Sequence, residues 1–168
     1  MIQVDLMSYE LLQAAVVGVA RHIKALSRQQ PDSYGFDGET GWQAHIEGAC
    51  GELAVAKCLG LYWSGSIDTF KVGGDVGKLQ VRTRSKQYYD LIVRPDDRSA
   101  DIFILVTGRA PTFQIHGWIV GTEAKKPEFL QTYGGRPEAY FVDKDHLHSI
   151  EALKVHLQSD KPKKGNEE

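Results

Sequence analysis

Cysteine is scarce in this sequence of 168 residues, which contains only Cys50 and Cys58. Both lie in one predicted helix, where their separation of eight positions corresponds to about 12 Å along the helix axis. That distance is too great for a disulfide bond. We therefore expect two reduced thiols and a cytoplasmic location.

Long apolar runs, a strong excess of charge and familiar nucleotide-binding motifs are also missing. No run approaches the about 20 apolar residues that a helix needs to cross a bilayer, so we expect no membrane partner. The net charge of −2 at pH 7 argues against a wholly basic nucleic-acid binder but allows a local basic groove. Because no Walker-type loop, dinucleotide-binding glycine pattern or nucleophile elbow occurs, kinase, NTPase, oxidoreductase and serine-hydrolase functions have no support.

Helical periodicity dominates the N-terminal part of the chain. A helix is predicted to begin after Ser8, which can cap it. Its apolar residues recur at spacings of four and three, as is typical of an amphipathic helix: Leu12, Val16, Val19, Ile23 and Leu26. A second helix is predicted over Gly41–Leu59, where small residues such as Gly48 and Gly51 indicate close packing against a sheet.

The period changes to two between Tyr62 and about Val120, where short runs rich in β-branched and aromatic residues predict strands. One of them, DIFILV, lacks alternation and is typical of a strand buried on both faces. A last strand and a helix over about 145–157 follow. We predict one α+β domain over residues 1–158, with a mostly antiparallel or mixed central sheet flanked by helices, and a flexible charged tail over residues 159–168.

The stretch GGDVGKLQVRTRSK combines a carboxylate with a polar strand. Gln80 and Arg82 share one face of the predicted strand, and Gly73, Gly74 and Gly77 permit a bend that brings Asp75 beside Gln80. Mg²⁺ prefers oxygen ligands, typically one or two carboxylates with waters and substrate phosphate. The positively charged side chain of Arg82, two residues after Gln80, would suit metal-assisted phosphodiester hydrolysis. The alternative, on spacing alone, is an ordinary polar face of a strand.

Three segments carry a resemblance to a known family: GACGELAVAKCLG on a helix, then GDVGKLQVRTR, then DLIVRPDDRSADIFILV. Over about residues 48–121 the chain resembles the PD-(D/E)XK nuclease superfamily, particularly its small phage-encoded members. In that superfamily a helix glutamate, an aspartate on or before one strand and a Glu-x-Lys on the next form the site. The resemblance implies a restriction-endonuclease-like core and Mg²⁺- or Mn²⁺-dependent hydrolysis of DNA in the cytoplasm of a bacterial host cell.

Carried over residue by residue, the resemblance makes Glu52 the helix glutamate and Asp75 the metal-binding aspartate. It places Gln80 at the second acidic position and Arg82 at the lysine position. These four would be the catalytic residues, with the metal held by Asp75, Glu52 and Gln80. Gln80 and Arg82 depart from the usual residues, and an arginine stays charged where a lysine can release its proton. A catalytically inactive DNA-binding or protein-binding accessory factor with the nuclease fold is therefore the alternative, and a virion or host-interaction protein is a third.

Basic and aromatic side chains are densest around and after this strand: Arg82, Arg84, Lys86, Tyr88, Tyr89 and Arg94. Such residues neutralise phosphates and stack on bases, so we predict DNA contact through Arg82, Arg84, Lys86 and Tyr88. The alternative is a strand pair with protective edge charges. Asp96, Asp97 and Asp101 are explained by turn chemistry, unless their loop folds back to Asp75 and joins a metal site. A homo-oligomer is compatible with the sequence.

Overall fold

A computed structural model describes residues 1–27, 41–67 and 74–159, so most of the predicted tail over 159–168 lies outside the described residues. The elements follow one another as β1 (Ile2–Asp5), α1 (Ser8–Ser27), α2 (Gly41–Leu59), β2 (Leu79–Arg84), β3 (Leu91–Val93), β4 (Ile102–Arg109), β5 (Thr112–Val120), α3 (Gly121–Ala124), β6 (Leu130–Gln131), β7 (Ala139–Val142) and α4 (Ile150–Ser159). Short 3₁₀ helices occupy Pro127–Phe129 and Lys144–His146. Within the described ranges, no helix is both long and apolar enough to cross a membrane.

The strands form two sheets, and the predicted α+β class with a mixed sheet is confirmed. The larger sheet has the order β1-β5-β4-β2, and the smaller one has the order β3-β7-β6. β2 runs parallel to β4, whereas β4 and β1 both pair antiparallel with β5. The sequence analysis did not predict β1, because a strand of four residues carries too little periodic signal.

β4 is buried on both faces, as its unbroken apolar run predicts. Ile104 and Val106 belong to the core beneath the helices, whereas Phe103 and Leu105 belong to a second core shared with the smaller sheet. All four side chains are fully buried. The larger sheet is therefore the middle layer of the fold, and its edge strand β2 is accessible from both neighbouring layers.

Helix α1 forms where it is predicted, but its apolar stripe does not pack on the core. Its buried residues are Ala14, Gly18 and His22, and a Cβ added at Gly18 would lie 2.5 Å from the Cα of Ile46 on α2. Because the two helices approach so closely, the face of α1 that carries small residues is the one that packs on α2. Leu12 is 68% exposed on another face.

Helix α2 has the predicted bounds and packs closely on β2 at Gly51. A Cβ added at Gly51 would lie 2.0 Å from Thr83 Oγ1 on β2. Around Gly48, by contrast, nothing lies within 4 Å of such an atom, so the close packing predicted there is wrong. Gly51 thus sets how closely α2 approaches the strand that carries Gln80 and Arg82.

We expect Gly51→Ala to lower the free energy of unfolding by about 1–3 kcal/mol, because the added methyl group overpacks the contact with Thr83. The matched change Gly48→Ala should raise it by about 0.5–1 kcal/mol, because alanine favours the helix and meets open space. Urea unfolding followed by circular dichroism measures both, and adding Thr83→Ala to Gly51→Ala should recover most of the loss. Equal stability of the two single variants would contradict the packing described here.

Candidate active site

Glu52 is a buried carboxylate whose two oxygens are both occupied. Its side chain projects from α2 and is only 6% exposed. The Arg21 guanidinium pairs with it in a forked geometry, with Nη1 to Oε1 at 2.5 Å and Nη2 to Oε2 at 2.9 Å. Trp63 donates its indole N–H to Oε2 over 3.1 Å. These partners compensate the burial of the charge.

Arg21 connects three parts of the chain at this point. It projects from α1, pairs with Glu52 on α2, and donates its Nε to the carbonyl oxygen of Ser66 over 2.8 Å. The sequence analysis did not select Arg21 as a site residue. No local signal could have revealed it, because its partner lies 31 residues away.

The bend before β2 forms as predicted from its glycines, although Gly73 lies outside the described residues. The Gly74 N–H donates to the Gly77 carbonyl oxygen over 3.0 Å, and the Asp75 N–H donates to the Leu79 carbonyl oxygen over 2.7 Å. Gly77 has a positive φ of 61°. A Cβ at Gly74 would lie 2.5 Å from the Leu79 nitrogen, so only glycine fits there. This tight turn holds Asp75 against its own strand.

The carboxylate of Asp75 lies at the edge of β2 and interacts electrostatically with Glu52. Its Oδ2 accepts the Val81 N–H over 2.7 Å. Burial, and next the negative charge of Glu52, raises the pKa of Asp75 to about 6, against the opposing Val81 N–H and the positive charges of Arg82 and Arg21. Burial, more than the neighbouring charge, therefore disfavours the ionised form of Asp75.

Gln80 and Arg82 share a face of β2, as predicted, but both side chains contact the loop between β3 and β4. The Gln80 Nε2 donates to Asp101 Oδ2 over 3.3 Å. The Arg82 Nη2 lies 2.9 Å from both carboxylate oxygens of Asp97, and its guanidinium carbon stands 5.1 Å from the centre of the Phe103 ring. Asp75 thus interacts electrostatically with Glu52, whereas Gln80 and Arg82 contact two other acidic residues.

Two aspartates of this loop, Asp97 and Asp101, also bind side chains of β2. Asp97 accepts the Arg94 N–H over 2.8 Å, as the predicted turn requires, and also binds Arg82. Asp101 accepts from Gln80 and pairs with Arg98 at 3.0 Å. The loop therefore does fold back on β2, where its carboxylates contact Arg82 and Gln80.

Asp75 is the carboxylate at this site that could ligate a divalent metal ion. No group of three or more His, Cys, Asp or Glu side chains that could hold a metal occurs within residues 1–27, 41–67 and 74–159. A magnesium ion that keeps several waters needs only one or two protein carboxylates. Asp75 could supply one, and Glu52 could supply a second where Arg21 or Trp63 releases one of its oxygens. Burial, and next the negative charge of Glu52, raises the pKa of Asp75, whereas Arg21 pairs directly with Glu52. Asp75 is therefore the more available ligand.

A basic cluster, defined here as Arg84, Arg94 and Arg136, lies beyond these two carboxylates. The Arg84 guanidinium carbon stands 4.6 Å from the centre of the Tyr89 ring. Burial is the main cause that lowers the pKa of Arg84, and the positive charges of Arg136 and Arg94 lower it further. Arg136 was missed in the sequence because it lies far along the chain in a glycine-containing loop.

The predicted DNA-contacting residues divide into two groups. Lys86 and Tyr88 are exposed in the segment after β2, and Tyr88 is 73% exposed. Arg84 belongs to the basic cluster, whereas Arg82 is held by Asp97. The Tyr88 ring contacts the Tyr89 ring edge-on, with 4.9 Å between the ring centres.

Comparisons with protein-family models, curated proteins and solved structures find no match to this chain. The resemblance to PD-(D/E)XK nucleases therefore depends on the quoted segments and on the arrangement of the site. In that arrangement the helix glutamate Glu52 and the aspartate before β2, Asp75, interact electrostatically.

The raised pKa of Asp75 predicts how stability depends on pH in buffer containing EDTA. Between about pH 4 and 6 the folded protein keeps a proton that the unfolded chain has released, so stability should fall as the pH rises. Asp75→Asn keeps an acceptor for the Val81 N–H but removes this titration. Its thermal midpoint should exceed that of the parent at pH 8 and approach it near pH 4, whereas exposed Asp96→Asn should follow the parent. Parallel profiles for Asp75→Asn and the parent would contradict the described environment.

Proposed function

We propose that this protein is a metal-dependent deoxyribonuclease of the PD-(D/E)XK type, phage-encoded and active in the cytoplasm of a bacterial host cell. The observation that carries the proposal is the electrostatic interaction between buried Glu52 and partly buried Asp75, on the helix and the bend where the resemblance requires them. The mixed sheet, with α2 packed against β2, supports a restriction-endonuclease-like core.

Each residue of the site has a role in this proposal. Asp75 and Glu52 hold Mg²⁺ or Mn²⁺, and Gln80 completes the ligand set with its amide oxygen. The bound ion supplies Lewis-acid polarisation of the scissile phosphate and a more acidic water. The Val81 N–H orients Asp75. Arg82 neutralises charge that develops on the phosphate, for which it exchanges Asp97 for the substrate.

The basic cluster extends the site along the DNA. Arg84 follows Arg82 by two residues on β2, a step of about 7 Å, which is close to the spacing of successive phosphates on one strand. Arg94 and Arg136 add positive charge beside Arg84. Lys86 and Tyr88 then contact a phosphate and a base beyond them.

We expect the parent protein to cleave DNA only in the presence of Mg²⁺ or Mn²⁺. Linear, nicked, branched and single-stranded DNA are incubated with each metal and with EDTA, and products are resolved by electrophoresis. Asp75→Ala should lower the rate by about 100-fold or more, because it removes the available metal ligand. Exposed Asp96→Ala is the matched control and should cleave like the parent. No metal-dependent cleavage of any substrate, or undiminished cleavage by Asp75→Ala, would remove the enzymatic proposal.

DNA affinity should depend on the basic cluster rather than on positive charge in general. We expect Arg136→Ala to weaken binding to an oligonucleotide several-fold at low salt and to reduce the slope of log K against log salt by about 1. Lys154→Ala on α4 changes the net charge equally and should leave both quantities unchanged. Fluorescence anisotropy at a series of salt concentrations measures them. Equal effects of the two variants would exclude the cluster as the contact.

A second candidate function is an accessory factor that binds DNA or protein without cleaving. It is favoured by the forked pairing of Arg21 with Glu52 and by the engagement of Arg82 with Asp97. In this case DNA binding is salt-sensitive, calorimetry detects little Mg²⁺ uptake, and cleavage is absent. Gain of cleavage on combining Gln80→Glu with Arg82→Lys would support it, and cleavage by the parent would exclude it.

A further inference from the structure

Helix α1 carries an apolar stripe that is exposed in the part of the chain that the structure describes. We call it the α1 seam and define it as Tyr9, Leu12, Val16, Val19, Ile23 and Leu26. Val19 is partly exposed, and the others are between 51% exposed at Ile23 and 69% exposed at Tyr9. Such a continuous line of large apolar side chains is uncommon on the surface of a protein that acts alone.

The spacing of the seam specifies the kind of partner. Its members follow one another at intervals of three, four, three, four and three residues. This repeat of 3.5 residues per turn corresponds to the a and d positions of a coiled coil, a narrower stripe than the one that packs a helix on a globular core. The partner that fits it is another helix with the same repeat.

The core contacts of α1 lie on a different face and leave the seam open. Ala14, Gly18 and His22 are the buried residues of the helix and pack towards α2. On an ideal helix with 100° per residue, the middle of this face and the middle of the seam are separated by about 130°. Both faces can therefore be covered at once.

The residues beside the seam do not oppose a second copy of the helix. Five of the six flanking positions are small or uncharged and partly or fully exposed, namely Ser8, Gln13, Ala15, Ala20 and Ser27. The sixth, His22, is buried. Two charged residues of α1 are engaged within the chain, because Glu10 pairs with Lys57 and Arg21 pairs with Glu52. Two copies brought together along the seam therefore meet no like charges at the positions that flank a coiled coil.

We propose that the protein forms a homodimer in which the α1 seams of two copies pack on each other. A two-fold axis presents the same surface twice, so one self-complementary stripe is sufficient. An antiparallel arrangement also opposes the helix dipoles favourably. Six side chains with about 100 Å² each to bury give about 600 Å² per copy, below the about 800 Å² of a standard interface. We therefore expect a weak dimer, with a dissociation constant in the micromolar range.

Sedimentation equilibrium of the full chain tests this over a protein concentration of about 1–500 µM. The parent should change from monomer to dimer within that range. Val16→Glu, in the middle of the seam, should raise the dissociation constant at least tenfold. Val155→Glu is the matched control, because Val155 is 67% exposed on α4 and lies outside the seam, and it should dimerise like the parent.

A parent that stays monomeric throughout overturns the proposal, whether another segment or another protein covers the seam. Equal weakening by Val16→Glu and Val155→Glu overturns it too, because the effect then comes from charge alone. Circular dichroism establishes that each variant is folded. Should Val16→Glu not fold, Leu12→Gln at another exposed seam position gives the same readout, and dimerisation unchanged by it counts against the proposal.

Discussion

The buried ion pair between Arg21 and Glu52 is the interaction on which the centre of this structure depends. It links α1, α2 and the segment that contains Ser66, and it allows a carboxylate to lie under the sheet edge where a lone charge would be very costly. Loss of one member of such a pair typically costs about 3–5 kcal/mol, because the remaining charge stays buried without a partner. The pair therefore requires α1 to pack with the side of the helix that carries Arg21 turned towards Glu52.

This same pair determines what Asp75 can do. Of the two carboxylates, Arg21 pairs directly with Glu52 and acts on Asp75 only through its charge. The pKa of Asp75 therefore stays raised although its neighbour Glu52 is paired. In the proposed function a divalent cation adds the missing positive charge, and Arg21 yields part of its hold on Glu52. In the accessory-factor alternative Arg21 itself is the permanent cation of the site. One interaction thus separates the two candidate functions.

Features controlled by local chemistry could be predicted from the sequence, and those controlled by distant partners could not. The bounds of α2, the bend at Asp75 and the doubly buried β4 follow from capping, glycine geometry and periodicity over a few residues. The partners of Glu52 and Arg82 do not, because Arg21 and Asp97 reach them from other elements, 31 and 15 residues away. The exposed stripe of α1 shows the same limit. Periodicity identifies an apolar stripe, but the close fit of small residues against α2 decides which face is buried.

A crystal soaked in Mn²⁺ tests the central claim most directly, because the anomalous signal of manganese locates the ion without reference to activity. The proposed function predicts a peak within coordination distance of the Asp75 carboxylate, with Glu52 as a second ligand and Arg21 displaced from at least one of its oxygens. A saturated crystal without a peak at Asp75, in which Arg21 still holds both oxygens of Glu52, would contradict it.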